Sequence, residues 1–399
     1  MIGNKELFLD FIEKNKGKDP ISLRLNNRNK SFDFDVDFAI TQIECRKKTH
    51  DKLKDFLVNK RFLFPDLISA EQSSHQAVAR YHNSLVPDIQ SVLDMTAGLG
   101  IDAITFAMNH KDVTAIELNP QKAEILNENG RLLGLSGFKA VNADSIEYLE
   151  GSISRYDLIF IDPSRRSPDN KKVYNLRDCL PDVIKYQDMI RNHAKKVFIK
   201  ASPLLDVTQT LRDLNNISRI TAVGVKGECK ELLIELNPIQ ESSVLVKLEA
   251  VNLDNEGNIL WGFSDEKNNK EKHFNFAGMQ DLQKGVYILE PSAMLMKLSP
   301  WDTIGERYKA SKFDKSSHLF ITKDLPEKFP GRVTRFEKFL TKKDRKSFSG
   351  FPATAISRNH PLSPEQIRKE MNLTEGDENF IYATRLQDKP VIFLTHKVN

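Results

Sequence analysis

The sequence predicts an α/β fold whose centre is a seven-stranded, mostly parallel sheet, with a helical region before it and small α/β domains after it. Three observations carry this. Seven strand-sized apolar runs (SVLDM, VTAIEL, FKAVNA, YDLIFID, KKVFIKA, ISRITAVGV and ELLIEL) alternate with helix-like stretches between residues 89 and 250, the pattern of strand–helix–strand crossovers. The first run ends on Asp94 and leads into a tight Gly98-Leu99-Gly100 turn that opens a helix. The last two runs are linked only by KGECK and read as a hairpin, so the sheet ends in an antiparallel pair.

Taken in order, residues 1–88 carry helical periodicity, in ELFLDFIEK and again through DFAITQIECRKKTHDKLKDFL. The stretch ISAEQSSHQAVARYH closes this region, with capping residues around Ser69 and a helix leading into the sheet. Residues 89–250 hold the sheet itself. Residues 251–322, with the short runs GNILWGF, GVYILEPSAMLMK and SSHLFITK, predict a small mixed α/β connecting domain. Met294 and Met296 fall there at period two and read as core. Residues 323–399 predict the strand TAISR, the helix PEQIRKEM, and the strands NFIYATRL and KPVIFLTHK joined by a short turn. No internal repeat or low-complexity linker interrupts the chain.

The bulk composition excludes several classes. At 399 residues the chain has length for several domains with a real core. Its longest apolar runs are strand-sized, so no membrane-spanning helix and no membrane partner is expected. The N-terminus, MIGNKELFLDFIEKNKGKD, has acids among its apolar residues, unlike a secretory leader. Cys45, Cys179 and Cys229 are far apart without C-x-x-C spacing, and the nine histidines are scattered. A disulfide framework and a metal site are therefore not expected, and a reducing cytoplasm is the natural location. A net charge of +4 does not by itself demand a nucleic-acid partner. Between Arg332 and Lys346, however, seven cations stand against two acids, with Phe336, Phe339 and Phe348 interleaved. That stretch reads either as a phosphate-contacting surface or as a solvated helix face with its phenylalanines turned inward. The charge alone favours the second.

Residues 91–103, SVLDMTAGLGIDA, are the most telling stretch, since a strand end followed by a Gly-rich turn and a helix lets backbone approach a ligand. The second strand ends on Glu117, 23 residues after Asp94, where an acid can accept from ribose hydroxyls. Two adenosine cofactors fit that pattern. Gly98, Gly100 and Ala103 satisfy the G-x-G-x-x-G/A spacing of nicotinamide dinucleotides. Asp94, however, would repel a pyrophosphate and attract the cationic amino-acid end of S-adenosylmethionine. Asn142-Ala143-Asp144-Ser145 and then Asp162-Pro163 end the third and fourth strands on the same side of the sheet. Four polar strand ends opening together favour S-adenosylmethionine.

Here the chain resembles a known family. DMTAGLG, AIELNP, NADS and IDPSRR, in that order, are similar to the motif series of class I S-adenosylmethionine-dependent methyltransferases over roughly residues 88–240. The phrase ELNPQKAEILNENGRLLG is similar to the second-strand region of RNA methyltransferases, including its asparagine, Asn129, which reads here as an exposed helix residue. The segment from FPATAISRNHPL to the C-terminus resembles the THUMP-like domain of a bacterial group of these enzymes. The resemblance implies a seven-stranded Rossmann-like methyltransferase sheet. It assigns the cofactor to Asp94, Thr96, Ala97, Gly98, Gly100, Glu117, Leu118, Asn119, Asp144 and Ser145. For Asn119, just before Pro120, helix capping competes with a ribose contact, and Ser145 reads as either a helix cap or a neighbour contact beside Asp144, which is expected near the adenine amine. Glu71, Gln72, Ser73 and Ser74, just before the first strand, are further cofactor candidates that helix capping would also explain.

The chemistry falls to Asp162, Pro163, Ser164 and Arg165. In base-amine methyltransferases this strand end reads D/N-P-P-Y/F/W, with the acid and a carbonyl holding the amine and the aromatic stacking on the base. Ser164 and Arg165 replace the second proline and the aromatic. Arg165 and Arg166 are suited instead to gripping a phosphate or carboxylate, and Lys200, with Ser202-Pro203 after it, stands at the next strand end. The resulting expectation is methylation of RNA, ribosomal or transfer. Two alternatives stay open: an RNA-binding protein with a cofactor pocket but no turnover, or a methyltransferase of a protein or small acid. A dehydrogenase fits less well.

Overall fold

The computed structural model describes residues 3–109, 111–165, 175–238, 245–266, 275–341, 343–344 and 347–398. The chain divides into two compact units. The first comprises residues 1–226, 230–246 and 251–260, and the second residues 227–229, 247–250 and 261–399.

In the first unit, helices α1 (Lys5–Asn15), α2 (Pro20–Asn27), α3 (Val36–Thr49), α4 (Lys54–Val58), α5 (Leu67–Gln72) and α6 (Gln76–Ser84) precede the sheet. Their starts are written locally. Asn4, Asp19, Asp35 and Asp66 each accept a backbone N–H from three residues on, satisfying a donor that the helix leaves orphaned. Phe8, Ile40, Ile43 and Leu63 form the core beneath α1–α3.

The sheet follows: β1 (Ser91–Asp94), α7 (Ile101–Met108), β2 (Asp112–Glu117), α8 (Pro120–Leu132), β3 (Phe138–Asn142), α9 (Ser145–Glu150) and β4 (Tyr156–Ile161). A two-residue ladder of β5 (Ser164–Arg165) and β6 (Cys179–Leu180) leads to α10 (Val183–Asn192), β7 (Ala194–Ala201), α11 (Val207–Asp213), β8 (Ile217–Val225) and β9 (Glu228–Leu236). Strands β1–β4 and β7 run parallel. Strand β9 inserts antiparallel beside β7, giving the order β8-β9-β7-β4-β1-β2-β3. The β8–β9 hairpin turns on Lys226 and Gly227, both at positive φ, the backbone of a two-residue primed turn. Val92, Phe106, Leu126, Leu158, Phe160 and Phe198 fill the core around the sheet. Each such side chain contributes ~2 kcal/mol on burial.

The seven strands read from sequence are all present, but the sheet does not stop there. Strands β10 (Lys247–Leu253) and β11 (Ile259–Glu266) continue it beyond β8, making nine. An edge strand leaves a row of unpaired N–H and C=O groups, so a further strand finds its partner there. The sequence shows no such vacancy. Asn129 is a second difference. It is fully buried on α8, where its amide accepts from Leu63 N at 2.9 Å and donates to Leu63 O at 2.9 Å.

The second unit holds β12 (Tyr287–Pro291), α12 (Ala293–Leu298), α13 (Trp301–Arg307), β13 (Ser311–Lys312), β14 (Phe320–Thr322), β15 (Gly331–Phe339), β16 (Thr354–Ser357), α14 (Pro364–Met371), β17 (Asn379–Leu386) and β18 (Lys389–Lys397). Its strands order as β13-β14-β12-β15-β18-β17-β16, over a core that includes Ile288, Phe313, Phe336, Tyr382 and Phe393. Residues 332–339 of the basic stretch are therefore strand rather than a helix face, while Lys342, Arg345 and Lys346 lie outside the described residues. The stretch begins as strand β15, with Thr334 and Phe336 inward, Arg335 outward, and a register shift between Phe336 and Lys338. Alternation at period two, broken by that irregularity, mimics helical spacing. Met294 does lie in the core, although on helix α12 rather than at strand spacing.

Candidate active site

The carboxyl ends of β1, β2, β3, β4 and β7 open on one cleft of about 1370 Å³. Strand order reverses at β1, between β2 and β4, which is where open α/β sheets place ligands. The cleft is lined by Asp94, Thr96, Ala97, Gly98, Gly100, Glu117, Leu118, Asp144, Ser145, Asp162, Pro163, Ser164 and Lys200. These are among the residues marked by sequence.

The β1–α7 loop is built from its own backbone. Asp94, buried, accepts from Thr96 N at 2.9 Å. The Thr96 hydroxyl accepts from Asp162 N at 2.6 Å, and Ala97 N donates to Ile116 O at 3.0 Å, so both residues tie the loop to its neighbouring strands. Gly98 and Gly100 have φ of +55° and +80°. A Cβ on Gly100 would also lie 2.3 Å from a Leu126 methyl, while the space before Gly98 is open. Glycine is thus required at one position for packing and at the other leaves backbone bare to the cleft.

Glu117 is held by backbone: Gly98 N donates to one oxygen at 3.1 Å and Asn119 N to the other at 2.8 Å. Leu118 is 71% exposed, an apolar side chain at the cleft wall. Asn119 caps α8 through Gln121 N and Lys122 N and does not line the cleft in this conformation. Asp144 caps α9 through one oxygen, accepting from Ile146 N and Glu147 N, and Ser145 is the first helical residue.

At the β4 end, Asp162 pairs with Lys200 from β7. Burial works against the Lys200 charge, but Asp162, Glu231 and Asp102 together push its ammonium above the ordinary lysine range. Burial likewise raises the Asp162 carboxyl, and Lys200 opposes that rise. Ser164 and the Arg165 backbone enter the ladder with Leu180 and Cys179, bringing the start of α10 against this strand end. Arg166 lies outside the described residues.

Sequence reasoning missed the floor beneath the cleft. His82, fully buried on α6, donates from Nδ1 to Asp102 at 2.8 Å and from Nε2 to Glu231 at 2.6 Å. Burial disfavours its proton, but Glu231 and Asp102 prevail and push the imidazole up to about 10, so both ring nitrogens carry hydrogen at neutral pH. Burial would raise the Asp102 carboxyl, yet His82, Lys200 and a hydrogen bond from Ser74 hold it below the usual range. Ser74, Ser73 and Gln72 line the cleft, whereas Glu71 pairs with Lys48 instead. The signal available in sequence was only Asp102 in the first turn after the glycine loop.

The residues fit S-adenosylmethionine. Burial, together with Asp102 and Asp162, pushes the Asp94 carboxyl up to about 8 against the opposing Thr96 N–H and Lys200. A buried acid so short of positive charge accommodates a cationic ligand group. Glu117 offers acceptors at the tip of β2, and Leu118 offers an apolar surface.

Residues 89–237 match the RNA cap guanine-N2 methyltransferase family, residues 287–330 a ferredoxin-like domain, and residues 332–397 the THUMP-like domain family. The crystal structure of a protein provisionally named a methyltransferase from Porphyromonas gingivalis W83 superposes with a TM-score of 0.85 at 25% identity, covering 100% of both chains. An RNA methyltransferase of Mycoplasma mobile, itself uncharacterised, is 26% identical over 149 residues, 37% of this chain and 41% of that one. An uncharacterised mimivirus protein is 32% identical over 114 residues, 27% of this chain and 44% of its own. The chain thus spans under half the length of these two curated relatives. Residues 89–237 thus match an RNA methyltransferase family and residues 332–397 the THUMP-like domain, in the order that the motifs led one to expect, and the whole chain shares its fold with the Porphyromonas protein.

Proposed function

We propose that the protein transfers a methyl group from S-adenosylmethionine to RNA at the Asp162-Pro163 strand end. The observation that carries this reading is the joining of two carboxylates, Asp94 and Asp162, in one cleft with opposite settings. Asp94 is buried with no ion-pair partner among the described residues, and Asp162 is paired with Lys200. The first suits the cationic amino-acid end of the cofactor, and the second suits an acceptor that must be held and relieved of a proton. The RNA assignment draws support from the family matched at residues 89–237 and from the Mycoplasma relative.

The cofactor supplies a methyl group on a good leaving group, so the protein's work is alignment. Glu117 would accept from the ribose hydroxyls, with the bare backbone at Gly98 open to the ligand, and Leu118, Asp144 and Ser145 would hold the adenine. Asp162 accepts the acceptor's N–H and takes its proton as the new bond forms. Lys200, its ion-pair partner, opposes the rise that burial gives that carboxyl. Asp162→Ala should cut transfer at least 100-fold while the cofactor Kd changes less than threefold. An unaltered rate removes Asp162 from the mechanism. Binding of the RNA substrate should weaken steeply with added salt. A shallow dependence would favour a small acid or a protein as the acceptor.

A further inference from the structure

We propose that Tyr186 is the platform on which the methyl-accepting group stacks, and that this group is a flat nucleobase rather than a ribose hydroxyl or an aliphatic amine. The inference rests on the RNA-methyltransferase reading above. It begins with the β5–β6 ladder, in which Ser164 pairs with Leu180 and Arg165 with Cys179. That pairing folds a segment 15 or so residues downstream back onto the strand end bearing Asp162. Asp182 then caps α10, accepting from Lys185 N at 3.1 Å, and Tyr186 follows in the first turn. Leu180, Pro181, Asp182, Lys185 and Tyr186 line the cleft together with Asp162, Pro163 and Ser164.

Among the described residues, two aromatic side chains border this cleft, Phe160 and Tyr186. Phe160 is 2% exposed, packed against His82 and Phe106 at centroid distances of 5.4 and 5.9 Å, and has no face to offer. Tyr186 is half-buried. The Lys185 ammonium lies over this ring, 4.7 Å from its centroid, a cation–π contact that sets a positive charge on one face, so stacking falls to the other. A flat ring, an adjacent cation and a carboxylate acceptor at Asp162 form a set. The ring gives stacking that any base can use, the cation suits a backbone phosphate, and the carboxylate takes an N–H at the base edge. A ribose hydroxyl or a lysine-like amine presents no face to the ring.

The test uses the full-length protein, labelled S-adenosylmethionine and total RNA from cells lacking the protein, with the product digested to nucleosides and examined by mass spectrometry. Label should sit on a base. Tyr186→Leu, similar in bulk but not planar, should raise the KM for RNA about 10- to 100-fold, the stacking contribution of one base, with cofactor Kd unchanged. Tyr186→Phe should restore KM to within a few-fold, which a merely structural hydroxyl or packing role would not separate from leucine. Base label with a wild-type KM in Tyr186→Leu overturns the platform and leaves the methyltransferase reading standing. Ribose label overturns the nucleobase assignment. Label in protein or small molecules alone, or none anywhere, overturns the RNA reading and this inference with it.

Discussion

Asp94→Asn separates the cost of the cleft from its use. The Asp94 carboxyl, 2% exposed, is pushed up to about 8 by burial and by the neighbouring Asp102 and Asp162. Its folded pKa thus lies above the ordinary carboxylate value of ~4. The folded protein then binds this proton more tightly than the unfolded chain. Stability from this group is complete below pH ~4 and is lost as pH rises to about 8. Moving a carboxyl from ~4 to ~8 corresponds to ~5 kcal/mol at alkaline pH. Asparagine fills the same space, can still accept from Thr96 N, and does not ionise. Calorimetric unfolding between pH 5 and 9 should therefore find the variant near wild type at pH 5 and more stable, by several kcal/mol, at pH 9. Saturating S-adenosylmethionine should reverse the ranking, because its cationic end compensates the wild-type charge alone. Parallel pH profiles for the two proteins, or a variant less stable at pH 9, would refute this account of Asp94.

Three further outcomes follow from the geometry. His82→Ala removes the imidazolium shared by the buried Asp102 and Glu231 and should cost ~3–5 kcal/mol, part of which Glu231→Gln added to it should recover in calorimetry. The His82 folded pKa of about 10 lies above its unfolded value, so its contribution persists below pH ~6.5 and falls as pH climbs through 10; an alkaline limb missing in the variant checks this. Asn129→Ala strips both hydrogen bonds from the Leu63 backbone and should destabilise by ~2–4 kcal/mol, with hydrogen exchange rising first at Leu63. Glu117→Ala should raise the cofactor Kd ~10- to 100-fold with little change in melting temperature, since the side chain lies at the cleft wall; equal affinity in titration would remove it from the site.

Much of the fold was legible because parallel strands buried on both faces read as continuous apolar runs, each ended by a polar residue. Asp94, Glu117, Asn142 and Asp162 mark four such ends, and the sheet brings them to one side. What stayed hidden depends on partners far apart in sequence. Asn129 meets Leu63 and His82 meets Glu231 across 66 and 149 residues, and no local period announces either. Tyr186 is invisible as a cleft residue until the β5–β6 ladder folds it back. The stretch from Arg332 misled because a strand with a shifted register spaces its phenylalanines as a helix would.

The most direct measurement is transfer of a labelled methyl group from S-adenosylmethionine into an extract of cells lacking the protein, separated into RNA, protein and small molecules before counting. Wild type should place label in a discrete RNA band, and Asp162→Ala should place none. Label confined to protein or small molecules, or no label although the cofactor binds, would contradict it.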